Sequence, residues 1–108
     1  MEKIYRGETI VGDFVLKDDD GEVITNIDGA VLLLTDMRSK ATTPVILRTG
    51  DGITFEDGAF RFVVSSDVSK TLPSMVGLEI KIEVNGVTRI AARSLFQVMD
   101  NQVKDYDI

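Results

Sequence analysis

The 108-residue chain contains no cysteine, no histidine and no tryptophan, and only two prolines. Without cysteine there is no disulfide framework, no thiol nucleophile and no zinc–thiolate site. Without histidine the chain lacks the side chain whose ordinary pKa lies near neutrality, and with it the commonest general base and metal ligand. Ser65, Ser66 and Ser69 therefore have no imidazole to activate a hydroxyl, and helix capping accounts for them better. Flat aromatic platforms of the kind that sugar-binding β domains present are missing too. Tyr5 and Tyr106 are the two tyrosines, and all five phenylalanines fall at positions suited to a strand core. An enzyme ranks third among the function classes.

No apolar stretch approaches the roughly 20 residues that a membrane-spanning helix needs. The opening "MEKIYRGETI" has no apolar segment behind a basic end, so no signal peptide is expected and synthesis in the cytoplasm follows. The formal net charge is −6 and the lysines and arginines are scattered. Phosphate backbones are held by clustered basic residues, so neither nucleic acid nor a membrane is an expected partner. Partners should be proteins.

What is present is an ordinary balance for one globular domain, of a size that buries roughly 60–65% of its unfolded surface. Its pattern is that of strands. Residues 9–17 alternate, with Ile10, Phe14 and Leu16 on one side and Asp13 and Lys17 on the other, the period of two of a half-buried strand. Val11 and Val15 interrupt the polar side, which a partly covered second face, or an interface there, would explain. "EVIT" predicts a short strand, "NIDG" a turn, and the nearly continuous apolar run "AVLLLTDMR" a central strand. "VILRTGDGITF" predicts two short β segments around a turn at Gly50 and Gly52. "GAFRFVVSS" sets Phe60, Phe62 and Val64 on one face. Residues 66–72 then predict an N-cap and one helical turn, with Val68 and Leu72 four apart and Pro73 as a stop.

The clearest period lies in "GLEIKIEV", with Leu78, Ile80, Ile82 and Val84 inward and Glu79, Lys81 and Glu83 outward. Asn85 and Gly86 match a type I′ hairpin turn, which needs positive φ at both central residues. The return strand, residues 87–99, is expected to place Ile90, Ala92, Phe96 and Val98 on one face. Residues 1–99 therefore form one all-β domain: an antiparallel β-sandwich, immunoglobulin-like in the broad sense, of about seven strands with one short helical turn. A small barrel is the alternative. Residues 100–108, "DNQVKDYDI", form an acidic tail whose Val103, Tyr106 and Ile108 could dock on a neighbour. With Val11 and Val15 they are the interface candidates, and a homo-oligomer is one outcome.

Asp18, Asp19 and Asp20 sit between two apolar runs. An EF-hand calcium loop with Gly21 in sixth place would put Leu16 first and Ile27 twelfth, and neither can ligate. A tight turn is the favoured reading, and a weak calcium site shared with a loop such as that of Asp51 or Asp57 is the alternative. No cofactor is implied. Glu79 and Glu83 lie on the outward side of a hairpin, away from the cleft in which paired carboxylates cleave sugars. Gly50 and Gly52 lack the lysine and following helix of a phosphate cradle.

The order of these pieces resembles a phage family. "YRGETIVGDFVLKDDDGEVITNIDGAVLLL" is similar to the opening of the N-terminal domain of phage baseplate upper proteins and related small tail proteins. There an "RGDT"-like start leads through a strand and an acidic-glycine turn to a "DLTGA"-like turn. Arg6, Gly7, Glu8 and Thr9 stand for the first motif, and Ile27, Asp28, Gly29 and Ala30 for the second. "GAFRFVVSSDVSKTLPS" resembles the family's "G.F.V.LS..DT..LP.G" stretch, although Met75, Val76, Gly77 and Leu78 replace its following aromatic. The resemblance covers nearly the whole chain. It implies a non-catalytic structural component of a phage or prophage tail or baseplate, located in the virion and assembled with itself or other tail proteins. With no receptor-binding domain after Ile108, direct host recognition is not expected. A bacterial β-sandwich adhesion or surface module is the alternative.

Overall fold

Period-two alternation commits most of the chain to strands with one buried face. The computed structural model describes residues 2–39 and 43–100 and contains eight strands and one helical turn. In chain order these are β1 (Glu2–Tyr5), β2 (Ile10–Val15), β3 (Gly29–Asp36), β4 (Val45–Thr49), β5 (Gly52–Glu56), β6 (Ala59–Val64), α1 (Ser66–Ser69), β7 (Met75–Val84) and β8 (Val87–Met99). The fold is all-β, as the alternation requires.

The expected division into two antiparallel sheets is not what the hydrogen bonding shows. All eight strands join one sheet in the order β1-β8-β7-β3-β4-β5-β6-β2. Two of its pairings, β1 with β8 and β4 with β5, are parallel. Phe96 and Val98 of β8 share one buried cluster with Phe60 and Val64 of β6, near the other end of that order. The sheet therefore curls around its core as a half-barrel, nearer to the small-barrel alternative than to the sandwich. Count and pairing differ from expectation because residues 2–5 add a strand alongside β8, and because "EVIT" contributes only a single bridge, Lys17 to Val23.

The strand faces fall largely where the periods place them. β3 alternates strictly, with Ala30, Leu32 and Leu34 buried and Val31 and Leu33 half-covered. Ile53, Phe60, Val64, Val76 and Ile80 are almost wholly inaccessible. At about 25 cal/mol per Å² of apolar surface removed from water, this cluster supplies the main drive for folding. Phe14 stacks on Phe60 with ring centroids 4.8 Å apart, bringing β2 into the core.

In β8 one expectation fails. Phe96 and Val98 point inward, but Ile90 is half exposed. The register against β7 shifts between Ile80 and Lys81, so that Ile80 faces Ala92 while Lys81 faces Ile90, with Ala91 inserted as a bulge. An inserted residue reverses the faces beyond it.

Local polar ties hold the ends of the curl. Ser65 is the N-cap of α1, one residue earlier than expected, and its Oγ accepts from Val68 N at 3.2 Å. Gly7, at φ 93°, donates its N–H to the buried Ser69 Oγ at 3.1 Å, while Ser66 Oγ donates to Gly7 O at 2.6 Å. The turn between β1 and β2 is thereby fastened to α1, and Leu72 is buried behind it. At the other end Asp28 N donates to Glu83 O, and Asp28 Oδ2 accepts from Gly86 N. No described helix is long and apolar enough to cross a membrane.

Candidate functional site

β2 is a terminal strand of the sheet, bonded to β6 on one side. Its residues alternate half-covered and exposed, so Ile10, Gly12 and Phe14 face the core and Val11, Asp13 and Val15 face outward. The antiparallel register sets Val11 beside Val63, Asp13 beside Arg61 and Val15 beside Ala59. Three valines thus lie exposed on one outer face: Val11 at 46%, Val15 at 52% and Val63 at 36%. The charge among them is locally neutralised, because Asp13 Oδ1 lies 4.0 Å from Arg61 Nη1. Both groups are more than half exposed, and such a pair contributes only about 0.2–1 kcal/mol. The face is an apolar strip crossed by one neutral ion pair, a surface suited to contact with another protein. Val11 and Val15 are the two described residues among the interface candidates. Val103, Tyr106 and Ile108 lie outside the described residues.

No protein-family model matches this chain, and no curated protein matches it. Its surface chemistry has to be read from its own side chains.

The aspartate cluster is a turn. Asp18 N donates to Glu22 O, Gly21 N donates to Asp18 O, and Gly21 takes φ 81°. Asp18 Oδ1 accepts from Asp20 N and from Glu22 N, each at 2.9 Å, so this oxygen serves the turn's own backbone. Asp19 Oδ2 lies 3.7 Å from Arg89 Nη1, linking the turn to β8 across the mouth of the curl. Among the described residues no group of three or more Asp, Glu, His or Cys is arranged to hold a metal ion. Asp51 closes the corner between β4 and β5, and Asp57 occupies the turn between β5 and β6 at φ 51°.

A cleft of about 410 Å³ opens between the aspartate turn and the tip of the β7–β8 hairpin. Phe14, Ile24, Ile82 and Val84 form its apolar wall, and Arg89 and Asp19 stand among the residues at its lining. Asp18 also lines it, and no serine or threonine stands among its lining residues.

Sequence reasoning missed further exposed apolar residues. Ile90 and Leu95 of β8 lie on the outer face, with Met37 packed over Gly77 nearby. A Cβ at Gly77 would come within 2.5 Å of Met37 Sδ, so the glycine provides the floor on which the methionine rests. The bulge turned Ile90 outward.

Proposed function

We propose that this protein is a non-catalytic structural component of a phage or prophage tail or baseplate, working through protein–protein assembly in the virion. The carrying observation is the exposed valine strip on terminal strand β2, formed by Val11, Val15 and Val63. A terminal strand with an apolar outer face presents both unpaired backbone groups and dehydrating surface to a neighbour.

Two of the residues that carry the family resemblance serve the frame of the fold. Gly7 of the "RGET" stretch is bonded to Ser66 and Ser69 of "SSDVSK", and Asp28 of "IDGA" is bonded to the β7–β8 turn. These motifs tie the ends of the sheet together and contribute no reacting group. A frame in which Gly7 and Asp28 serve shape suits a part that works by assembly.

Sedimentation of particles from an induced lysogen that encodes the protein tests the proposal. The protein should travel with the tail or baseplate fraction, and deletion of its gene should leave incomplete particles. Complete, infective particles made without it would refute the assignment.

A further inference from the structure

Among the described residues the uncovered edges of the sheet include β1, part of β8 and β2, and these three are not equally protected. β1 is only four residues long and carries Glu2 and Lys3. β8 is covered by β1 at residues 96–99 alone, and its open part, residues 87–95, carries Arg89 and Arg93 and the bulge at Ala91. Shortness, charge and bulges are the ordinary devices that stop an edge from pairing with another chain. β2, "IVGDFV", has no bulge and a single charge, Asp13. It has no lysine, no proline and an unbroken register with β6, and its one acid is already beside Arg61. Among the described residues its outer edge makes no backbone hydrogen bond.

We propose that β2 pairs antiparallel with β2 of a second copy of this chain, about a twofold axis at Gly12. The inference rests on the assembly reading above and names its partner. The register follows from two conditions. Core-facing residues of the two copies must share a face, which allows a centre on a residue but none between residues. A centre at Asp13 would set that carboxylate opposite its own copy, and like charges directly opposite are destabilising. A centre at Val11 leaves only three residues of each strand overlapping. A centre at Gly12 overlaps five, sets Ile10 opposite Phe14 and Val11 opposite Asp13, and brings the two glycines together at the axis. Such a contact is self-complementary and closes at two copies.

The lack of cysteine in the chain makes the register directly readable. Val11→Cys and Asp13→Cys are both at exposed outward positions, so each variant should fold. Under mild oxidation, a mixture of the two should give disulfide-linked dimers, and neither alone should do so efficiently. Light scattering on the unmodified chain should give twice the chain mass as concentration rises. A monomer at every concentration overturns the inference, as does crosslinking of Val11→Cys with Val15→Cys in preference to Asp13→Cys. Failure here leaves the particle sedimentation result untouched, so a chain that assembles only with other proteins is distinguished from one that does not assemble at all.

Discussion

The chain reverses at Asn85–Gly86 and bends at Gly50–Gly52, and the two places build different things from similar residues. At the first, Asn85 and Gly86 take φ 52° and 79°, and the flanking strands pair over ten residues. At the second, Gly50 and Gly52 take φ 84° and 94°, yet β4 and β5 meet in parallel and over two residues only. Arg48 and Asp51 exchange both backbone hydrogen bonds there, at 3.0 and 2.8 Å, so the chain coils through a corner instead of folding back. Each of these short strands finds its antiparallel partner on the far side, β4 with β3 and β5 with β6. A glycine signal therefore marks a bend, and the length and phase of the flanking pattern decide whether the bend makes a hairpin or joins two blocks of sheet.

The largest effect is expected at the hairpin, whose phase is the firmest part of the comparison. Ile82 is buried and its neighbour Lys81 is exposed. Ile82→Asp places an unpaired carboxylate in the core, at a cost of about 4 kcal/mol or more, a large part of the roughly 5–15 kcal/mol that holds a domain together. Lys81→Asp should change stability by no more than about 1 kcal/mol. Urea unfolding of both variants checks this. Equal damage from the two would mean that the outer face of the hairpin is covered as well.

That contrast also shows what was legible in the residues. β2, β6 and β7 each carry several apolar residues in one phase, and the core set of Phe60, Phe62, Ile80 and Ile82 follows from them directly, whereas the continuous run of β3 marks a core strand without saying which of its faces is buried. The outward Val11 and Val15 were legible for the same reason, as breaks in an otherwise polar face. Pairing order was not, because period two says which face a residue takes and nothing of which strand lies beside it. β1 is four residues with one inward position, Ile4, too short for a period. The bulge at Ala91 depends on how β8 meets β7, a tertiary fact that no window of β8 records.

Glycine substitutions at the two bends should separate their roles. A Cβ at Gly86 meets nothing within 4 Å, so Gly86→Ala carries only the backbone strain of positive φ, about 1 kcal/mol. A Cβ at Gly52 would stand 2.8 Å from Leu47 Cδ2 and 3.3 Å from Leu47 Cβ, in addition to the same kind of strain. Gly52→Ala should therefore cost about 2–3 kcal/mol, since overpacking adds to it. Thermal melts of the pair give the order. If Gly86→Ala proves the more damaging, the corner is the softer of the two bends and Leu47 yields without resistance.

The smallest effect belongs to a third bend, in which a side chain supplies much of what conformational freedom supplies in the other two. Asp18 Oδ1 accepts two backbone N–H groups, from Asp20 and Glu22, and so fastens the turn before Gly21 closes it. Asp18→Ala removes both acceptors from an exposed site where water can replace them, so the loss should be about 0.5–1 kcal/mol. Asp18→Asn keeps an acceptor oxygen in place and should recover most of it. Asp20→Ala, which removes a side chain that makes no hydrogen bond or ion pair among the described residues, should be neutral within about 0.5 kcal/mol. If the turn's hydrogen bonds are the whole role of the cluster, the melting temperatures of the parent and of all three variants will be the same in millimolar calcium as in chelator. A calcium-dependent rise of several degrees in the parent, lost in Asp18→Asn as well as in Asp18→Ala, would instead mean that charge at residue 18 serves an ion.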